Sequence, residues 1–597
     1  MGEKKSSIFS RLNSPLFVAL AVTSALLLLG YPIYESNDDL TMIALLSGKT
    51  GLTAQPDGIF LSLPLSRLLY VLYGVAGAVP WYGLLLYFLL FVAFYLGLKT
   101  ISLSNLPPAG TAIMYAGLAM GYFCLFSLFN FTSVSLLTWF MAAAYIARLN
   151  LSCTPPRKRE AWLGFFLGMS FLVRPSILNL AAMCSIPVGV TFLVPGTRKR
   201  LFYLVPPLLA LVALSVVMEF AFHDNPSYRD YQRFSSARSD FTDTQMSSLN
   251  PRSTAALEKA GWSKRDYELA TELWLHDDAI YSTDRIRTFL DANSGSKLSL
   301  LSLDKLWESM LNNQVFLLLM FICCATMLFS APESYAIPEA RLSTVRNCAR
   351  LALVAFIAWV VVLATIRFPQ RVAIPVFCFS IVMFMLFRPL VSARWVMKAH
   401  YRRLFFGATV PLLLFLAYLL YDEVSSPVSY FMHHNEYTDQ ALTAVQDING
   451  PGTIFIFPNA KLFAPNQGIN PLREYRDAKP FIFFPIGWLI GSRAYTDFLA
   501  KYGFGDRHRA VPAMVDNKNA VLCVFRRNDG KFDEWVSNFL GHLEQHYGQL
   551  FPGREFALEP VLDRRAMGIG WEFFRVVTEA GHTPASEAAR SVPSTKK

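Results

Sequence analysis

Residues 15–39 read PLFVALAVTSALLLLGYPIYESNDD, an uncharged apolar run followed by a short turn and two adjacent carboxylates, Asp38 and Asp39. Together with Gly30–Tyr34, the run from Pro15 reaches the roughly 20 residues that cross a bilayer. Lys4, Lys5 and Arg11 flank it on the N-terminal side, and no small-residue cleavage site follows it. It therefore reads as a retained anchor with its N-terminus inside, rather than as a cleaved signal. Gly30-Tyr31-Pro32-Ile33-Tyr34 is the exit from the bilayer, so Glu35-Ser36-Asn37-Asp38-Asp39 stands immediately outside.

Working outward, ten further apolar stretches are expected to span: 80–100, 108–128, 132–148, 161–175, 177–196, 201–221, 313–331, 350–366, 372–388 and 404–422. With 53% hydrophobic and only 16% charged residues over 597 positions, against about 25% charged in an ordinary globular domain, the chain is a polytopic membrane protein. That excludes a soluble enzyme, a disordered scaffold and a disulfide miniprotein. The expected fold class is an all-α membrane domain of about eleven spans, residues 1–422, followed by an extracytoplasmic α/β domain over 423–578 and a disordered tail over 579–597. The net charge of +11 is not a nucleic-acid signature. Nineteen basic residues fall in the predicted cytoplasmic pieces against four acids, Glu3, Glu160, Glu333 and Glu339, which is the positive-inside pattern. Of the eight cysteines only Cys523 falls in the outer domain, so no disulfide framework is expected there.

Three outer stretches matter. The first, 35–79, contains Leu61–Val79, apolar but interrupted by Pro64 and Arg67, and reads as a helix lying in the membrane interface. The second, 222–312, is mixed in charge and helical in pattern from Pro251 to Phe289. In the third, runs Thr453–Phe457, Phe481–Pro485 and Ala520–Phe525 read as strands, alternating with helical patterns at Ser492–Tyr502 and Phe532–Tyr547.

The chain holds no Walker loop, no Gly-rich dinucleotide turn, no Gly-x-Ser-x-Gly elbow and no His-Glu-x-x-His helix, which leaves ATP-driven transport and serine hydrolysis without their usual motifs. What stands out is the acid pair. Two adjacent carboxylates above an apolar wall repel one another, and one of them can act as a general base or hold a divalent cation. The plainer reading is a solvated loop that caps the helix beginning near Leu40. Arg67, Arg174, Arg367 and Arg371 fall at the outer ends of expected spans, where a guanidinium fork suits phosphate oxygens and equally suits snorkelling to headgroups. Glu219, Arg238, Asp240, Trp262, Trp274 and Asp278 are candidates for a polar, sugar-binding groove, or alternatively for parts of a small packed domain. His433-His434-Asn435-Glu436 is a metal cluster only superficially, since adjacent histidines point apart on a strand.

These features together resemble the GT-C membrane glycosyltransferases: Asp38-Asp39 is similar to that superfamily's acidic motif after the first span, and Leu40–Ser47 with Leu61–Val79 to its interfacial helices. The chain is also similar to a narrower set of bacterial polytopic proteins, through Ser36-Asn37-Asp38-Asp39, Pro80-Trp81-Tyr82-Gly83, and Arg238 with Asp240; no activity carries over from that set. The superfamily resemblance implies transfer of a sugar from a polyprenyl-phosphate donor to a glycan or lipid acceptor at the outer face of a bacterial inner membrane. In that picture Asp38 or Asp39 is the base, and Arg67, Arg174, Arg367 and Arg371 hold the departing phosphate. A divalent cation, Mg or Mn on Asp38 and Asp39, is used by some members and not by others. A lipid or glycan transporter and a non-catalytic scaffold of a polysaccharide complex are the alternatives.

Overall fold

The structure is a computed structural model that describes residues 14–104, 106–223, 226–243, 251–293, 314–329, 370–386, 399–457, 470–472, 481–525, 531–562 and 571–580, with scattered positions between 343 and 354. It is mostly helical, with one small sheet near the C-terminus. Five helices are long and apolar enough to cross a membrane: Trp81–Ser102, Pro108–Ser127, Phe131–Leu151, Arg198–Phe222 and Arg403–Tyr430. A sixth span is possible by length if Lys158–Val173 and Pro175–Ala182, which meet at a bend of 111°, are counted as one.

These are the full-length apolar helices among the described residues, against eleven spans expected from the whole sequence. Pro15–Leu29, Gln314–Phe329 and Gln370–Leu386 form apolar helices shorter than a full crossing, and the expected span at 350–366 lies almost wholly outside the described residues. The bend at Arg174-Pro175 has a simple cause: a proline disfavours helical backbone at the residue before it, and Arg174 leaves the helix at φ −147°, ψ 83°.

At the centre lies α6, Phe131–Leu151, buried along nearly its whole length. It is enclosed by α4 (Trp81–Ser102), α7 (Ala161–Val173), α8 (Leu178–Val190) and α15 (Gln370–Leu386). Polar residues inside this packing are paired with one another, as in Ser135 with Ser170, the economical arrangement where no water is at hand. By contrast α9, Leu201–His223, leaves Phe202, Leu209, Val217 and Phe220 exposed, the face of a lipid-contacting helix.

Beyond this bundle, α2 (Asn37–Ser47) and α3 (Leu63–Val75) lie in the segment between the first apolar helix and α4. Within Leu61–Val79 a helix forms over Leu63–Val75, with Leu65, Leu69 and Tyr73 buried and Leu68, Val71 and Val75 exposed. Leu40–Ser47 differs from an interfacial helix in that Leu40, Met42, Ile43, Leu45 and Leu46 are all enclosed.

The C-terminal sheet runs β4-β3-β5-β7-β6, with β3 (Ile454–Ile456), β4 (Ile482–Phe483) and β5 (Ala520–Phe525) parallel, and β6 (Arg554–Pro560) and β7 (Trp571–Ala580) antiparallel. The three expected strands and two expected helices are present, as α17 (Arg493–Lys501) and α18 (Lys531–Tyr547). The expected boundary at 422 falls inside one continuous helix, α16, Ala399–Asn449. Glu579 and Ala580, assigned to the tail, close β7; the tail beyond them lies outside the described residues.

The second outer stretch packs on this domain as one core. Trp274 meets Phe539 edge-on at 5.4 Å, and Asp266 of α12 (Lys264–Thr271) accepts from His542 and His546 of α18 at 2.7 and 2.8 Å. Two glycines let outer segments approach the bundle. A Cβ on Gly51 would lie 2.8 Å from Ile482, and one on Gly83 would lie 2.1 Å from the Pro471 carbonyl oxygen and 3.2 Å from the Tyr34 hydroxyl. Gly83→Ala is therefore expected to push the 470–472 segment off the start of α4, at a cost of about 1–3 kcal/mol, seen as a lower melting temperature of the detergent-solubilised protein and faster proteolysis after α16.

Candidate functional site

The acid motif is held by its backbone before any side chain acts. After the first helix, β1 (Ile33–Tyr34) pairs in parallel with β2 (Leu128–Phe129), and the Glu35 N–H donates to the Phe129 carbonyl at 2.9 Å. Asn130 then caps α6, its Oδ1 accepting from Thr132 N–H at 2.8 Å. The turn carrying the acids and the N-terminus of the central helix thus lie side by side, and the dipole of that terminus favours negative charge beside it.

Adjacent residues on a helix point about 100° apart, and the two aspartates have different surroundings. Asp39 is wholly buried and its oxygens are taken: Tyr82 OH donates to Oδ1 at 2.9 Å, Phe131 N–H to Oδ1 at 3.2 Å, Ser36 OH to Oδ2 at 3.2 Å and Asn130 Nδ2 to Oδ2 at 3.4 Å. Burial pushes its carboxyl well up, with Tyr82, the Phe131 N–H and Ser36 opposing the rise. Asp38 is partly exposed and faces charge. Burial raises its carboxyl, opposed by Arg371, Arg174 and a hydrogen bond from the Trp488 side chain. Glu35 completes the cluster: burial pushes it up to about 7, with Arg371 lowering and Asp38 raising it.

The arginines come from two helix ends. Arg174 follows α7, with its guanidinium over Phe60 at 4.7 Å and over Phe131 at 5.0 Å, while its Nε is buried with no hydrogen-bond partner among the described residues. Arg371 opens α15, where its carbonyl accepts from Ser133 Oγ at 2.8 Å. Two cations and two acids, Glu35 and Asp38, thus meet at the rim of the bundle, and the aromatic pair Phe60–Trp488 (5.2 Å, edge-on) closes one side.

Trp488 belongs to the C-terminal domain and was not a sequence candidate. It sits in the turn Gly487–Leu489, with Gly487 at φ +59°, clamped from α10 (Pro226–Asp243). Arg238 donates to the Gly487 and Trp488 carbonyls and lies 4.7 Å over the indole; Tyr231 OH donates to the Trp488 carbonyl at 2.9 Å. Arg238, a sugar-binding candidate by sequence, is fully buried and reaches the acid centre only through this turn. Nothing in the spacing of residues 481–492 signals the role; the one sequence clue was Arg238 itself.

The other candidates lie elsewhere. Arg67 stands apart from Arg174, 4.0 Å from Asp57 and over the Phe222 ring at 3.8 Å. Arg367 lies outside the described residues. Glu219 accepts from Tyr228 OH at 2.9 Å. Trp262 is buried in an aromatic core with Phe241, Tyr281 and Phe289, its indole N–H on the Ile280 carbonyl at 2.7 Å, and Trp274 is buried at the joint with α18. These two are packing residues of the outer body, not walls of a groove. Asp240 and Asp278 are exposed. Of the described His, Cys, Asp and Glu side chains, the groups of three spaced to hold a metal are Asp266 with His542 and His546, and Asp277 with Asp278 and His508.

Compared with protein-family models, with curated proteins and with solved structures, the chain matches none of them.

Two outcomes follow. Because the Glu35 pKa is raised from 4.5 to about 7 on folding, its contribution to stability is present in full below pH 4.5 and is lost as pH rises through about 7; Glu35→Gln is expected to flatten the fall in melting temperature across that window. Asp39→Ala takes the acceptor from two buried donors, the Tyr82 hydroxyl and the Phe131 N–H, and is expected to cost about 1–3 kcal/mol or more, whereas Asp38→Asn keeps the fold with a smaller change in melting temperature.

Proposed function

We propose that the chain is a membrane glycosyltransferase, moving a sugar from a polyprenyl-phosphate donor to a glycan or lipid acceptor at the outer face of a bacterial inner membrane. The observation that carries this reading is Asp38: a carboxylate made more basic by burial, beside Arg174 and Arg371, at the bundle rim. It is the arrangement that transfer from a lipid phosphate calls for, with a base beside a pair of phosphate-binding forks.

In this reaction Asp38 takes the proton from the acceptor hydroxyl as its oxygen attacks the anomeric carbon. The bond from that carbon to the phosphate oxygen breaks, and the lipid phosphate leaves with the electron pair. Arg174 and Arg371 balance the charge that grows on it. Attack opposite the leaving group inverts the anomeric centre. Asp39 serves by holding α2, and through it Asp38, in place; Trp488 fixes the direction of the Asp38 carboxylate. The two arginines supply positive charge to the phosphate without a metal, and Asp38 with Glu35 is the carboxylate pair that would hold a divalent cation if one takes part.

The test is surface-glycan composition by mass spectrometry in a deletion strain complemented with variants of matched membrane abundance. Wild type is expected to restore one missing sugar. Asp38→Asn should fall short by about 10²–10⁴-fold in rate, and Trp488→Phe, which loses a single hydrogen bond to a charged group, by about tenfold to a hundredfold. Full restoration by Asp38→Asn would overturn the reading.

A further inference from the structure

Beside the acid centre the 35–79 segment borders a second feature, a shallow open cleft walled by Gln55, Asp57, Ile59, Tyr228, Tyr231 and Arg493. Its walls come from three separate parts of the chain: that segment, α10 and the start of α17. It adjoins the centre at two points. Ile59 lines the cleft while its neighbour Phe60 packs on Trp488 and beneath Arg174, and Tyr231 lines it while its hydroxyl holds the Trp488 carbonyl. Leu45, on the same helix as Asp38, forms part of the floor.

We infer that this cleft binds a hydroxyl-rich saccharide, the acceptor end of the glycan being extended. Three features select that class. Asp57 Oδ1 is buried and makes no hydrogen bond among the described residues; its nearest cation, Arg67 Nη2, stands at 4.0 Å, and Arg67 Nε is likewise buried and unmet. A buried acceptor left unsatisfied is costly, and a sugar hydroxyl donating to Oδ1 removes that cost. The phenol oxygens of Tyr228 and Tyr231 donate away, to Glu219 and to the Trp488 carbonyl, and Tyr228, which is half-buried, offers a ligand ring surface against which the apolar face of a pyranose packs. A phosphate would meet the Asp57 carboxylate, and a lipid tail would leave Asp57 Oδ1 unsatisfied. Burial raises the Asp57 carboxyl, with Arg67 and Arg493 opposing, as for a group whose partner is a neutral hydroxyl. Arg67 thereby belongs to the acceptor side, steadying Asp57, rather than to the donor phosphate.

Saccharide binding stands on the cleft alone; the word acceptor rests on the transferase reading. The full chain is tested in cells, with p-benzoylphenylalanine placed at Tyr228 and, as a lipid-facing control, at Phe220, which is 79% exposed. Irradiation is expected to give a periodate-sensitive adduct from position 228 and none from 220. Asp57→Asn, introduced with an unchanged melting temperature, should weaken the adduct by about tenfold, the order expected when one hydroxyl loses a charged acceptor. An adduct with lipid or protein, an equal adduct at 220, or no effect of Asp57→Asn overturns the inference. In an Asp38→Asn background the adduct should persist. If that variant also restores the surface glycan, the transferase reading fails while the cleft stands as a glycan-binding site.

Discussion

A carboxylate that is fully enclosed must have its acceptor sites filled, and the arrangement of this protein's outer rim follows from how Asp39 meets that requirement. Its donors come from its own helix (Ser36), from the start of α4 (Tyr82) and from the N-terminus of α6 (Asn130 and the Phe131 N–H). Three elements far apart in sequence are thus tied to two oxygen atoms. The parallel pairing of Ile33–Tyr34 with Leu128–Phe129 adds a backbone clamp at the same place. Once α2 is fixed in this way, its helical geometry turns the preceding residue, Asp38, toward Arg174 and Arg371. The buried acid is structural, and its structural role is what aims the acid beside it.

A second constraint comes from the far end of the chain. The Gly487–Leu489 turn reaches the centre only because α10 holds it from behind, where Arg238 and Tyr231 take its carbonyls. α10 in turn belongs to a body whose aromatic core and Asp266–His542–His546 contacts join the second outer stretch to α18. His542 is buried and burial holds its pKa down, which suits a neutral ring donating to the Asp266 carboxylate. The loop between spans and the C-terminal domain therefore act as one support, and the domain boundary is not where the hydropathy of residue 422 suggests.

This explains what was legible in the sequence. The acid pair, Arg174 and Arg371 could be read because each sits beside an apolar run, and the end of such a run is a local signal. The strands at 454–456, 482–483 and 520–525 could be read from short β-rich runs. Trp488 could not, since its partner Asp38 is about 450 positions away and no periodicity links them. Glu35 was quoted with the motif yet passed over, because its significance depends on Arg371 arriving from α15. The number of spans is less legible for a related reason: apolar length marks burial in lipid and burial in protein alike. Residues 161–196 show the ambiguity, giving two short helices bent at Pro175 instead of two full crossings.

Where the charges lie bears on the choice between moving a solute and transforming one. A coupled transporter needs ionisable groups near the middle of the bilayer, where a change of protonation or ion occupancy can alter which side is open. Among the described long helices, Lys99 and Arg148 stand in last turns and Glu219 a few residues from the end of α9, while Asp422 and Glu423 lie inside α16. Asp38, Arg174 and Arg371 gather at one rim, at a turn and two helix ends. A site at that depth is open to a headgroup that stays in its own leaflet and to a partner arriving from water. In the proposed transfer neither partner has to cross the bilayer, so charge gathered at that rim is placed where the proposed reaction needs it.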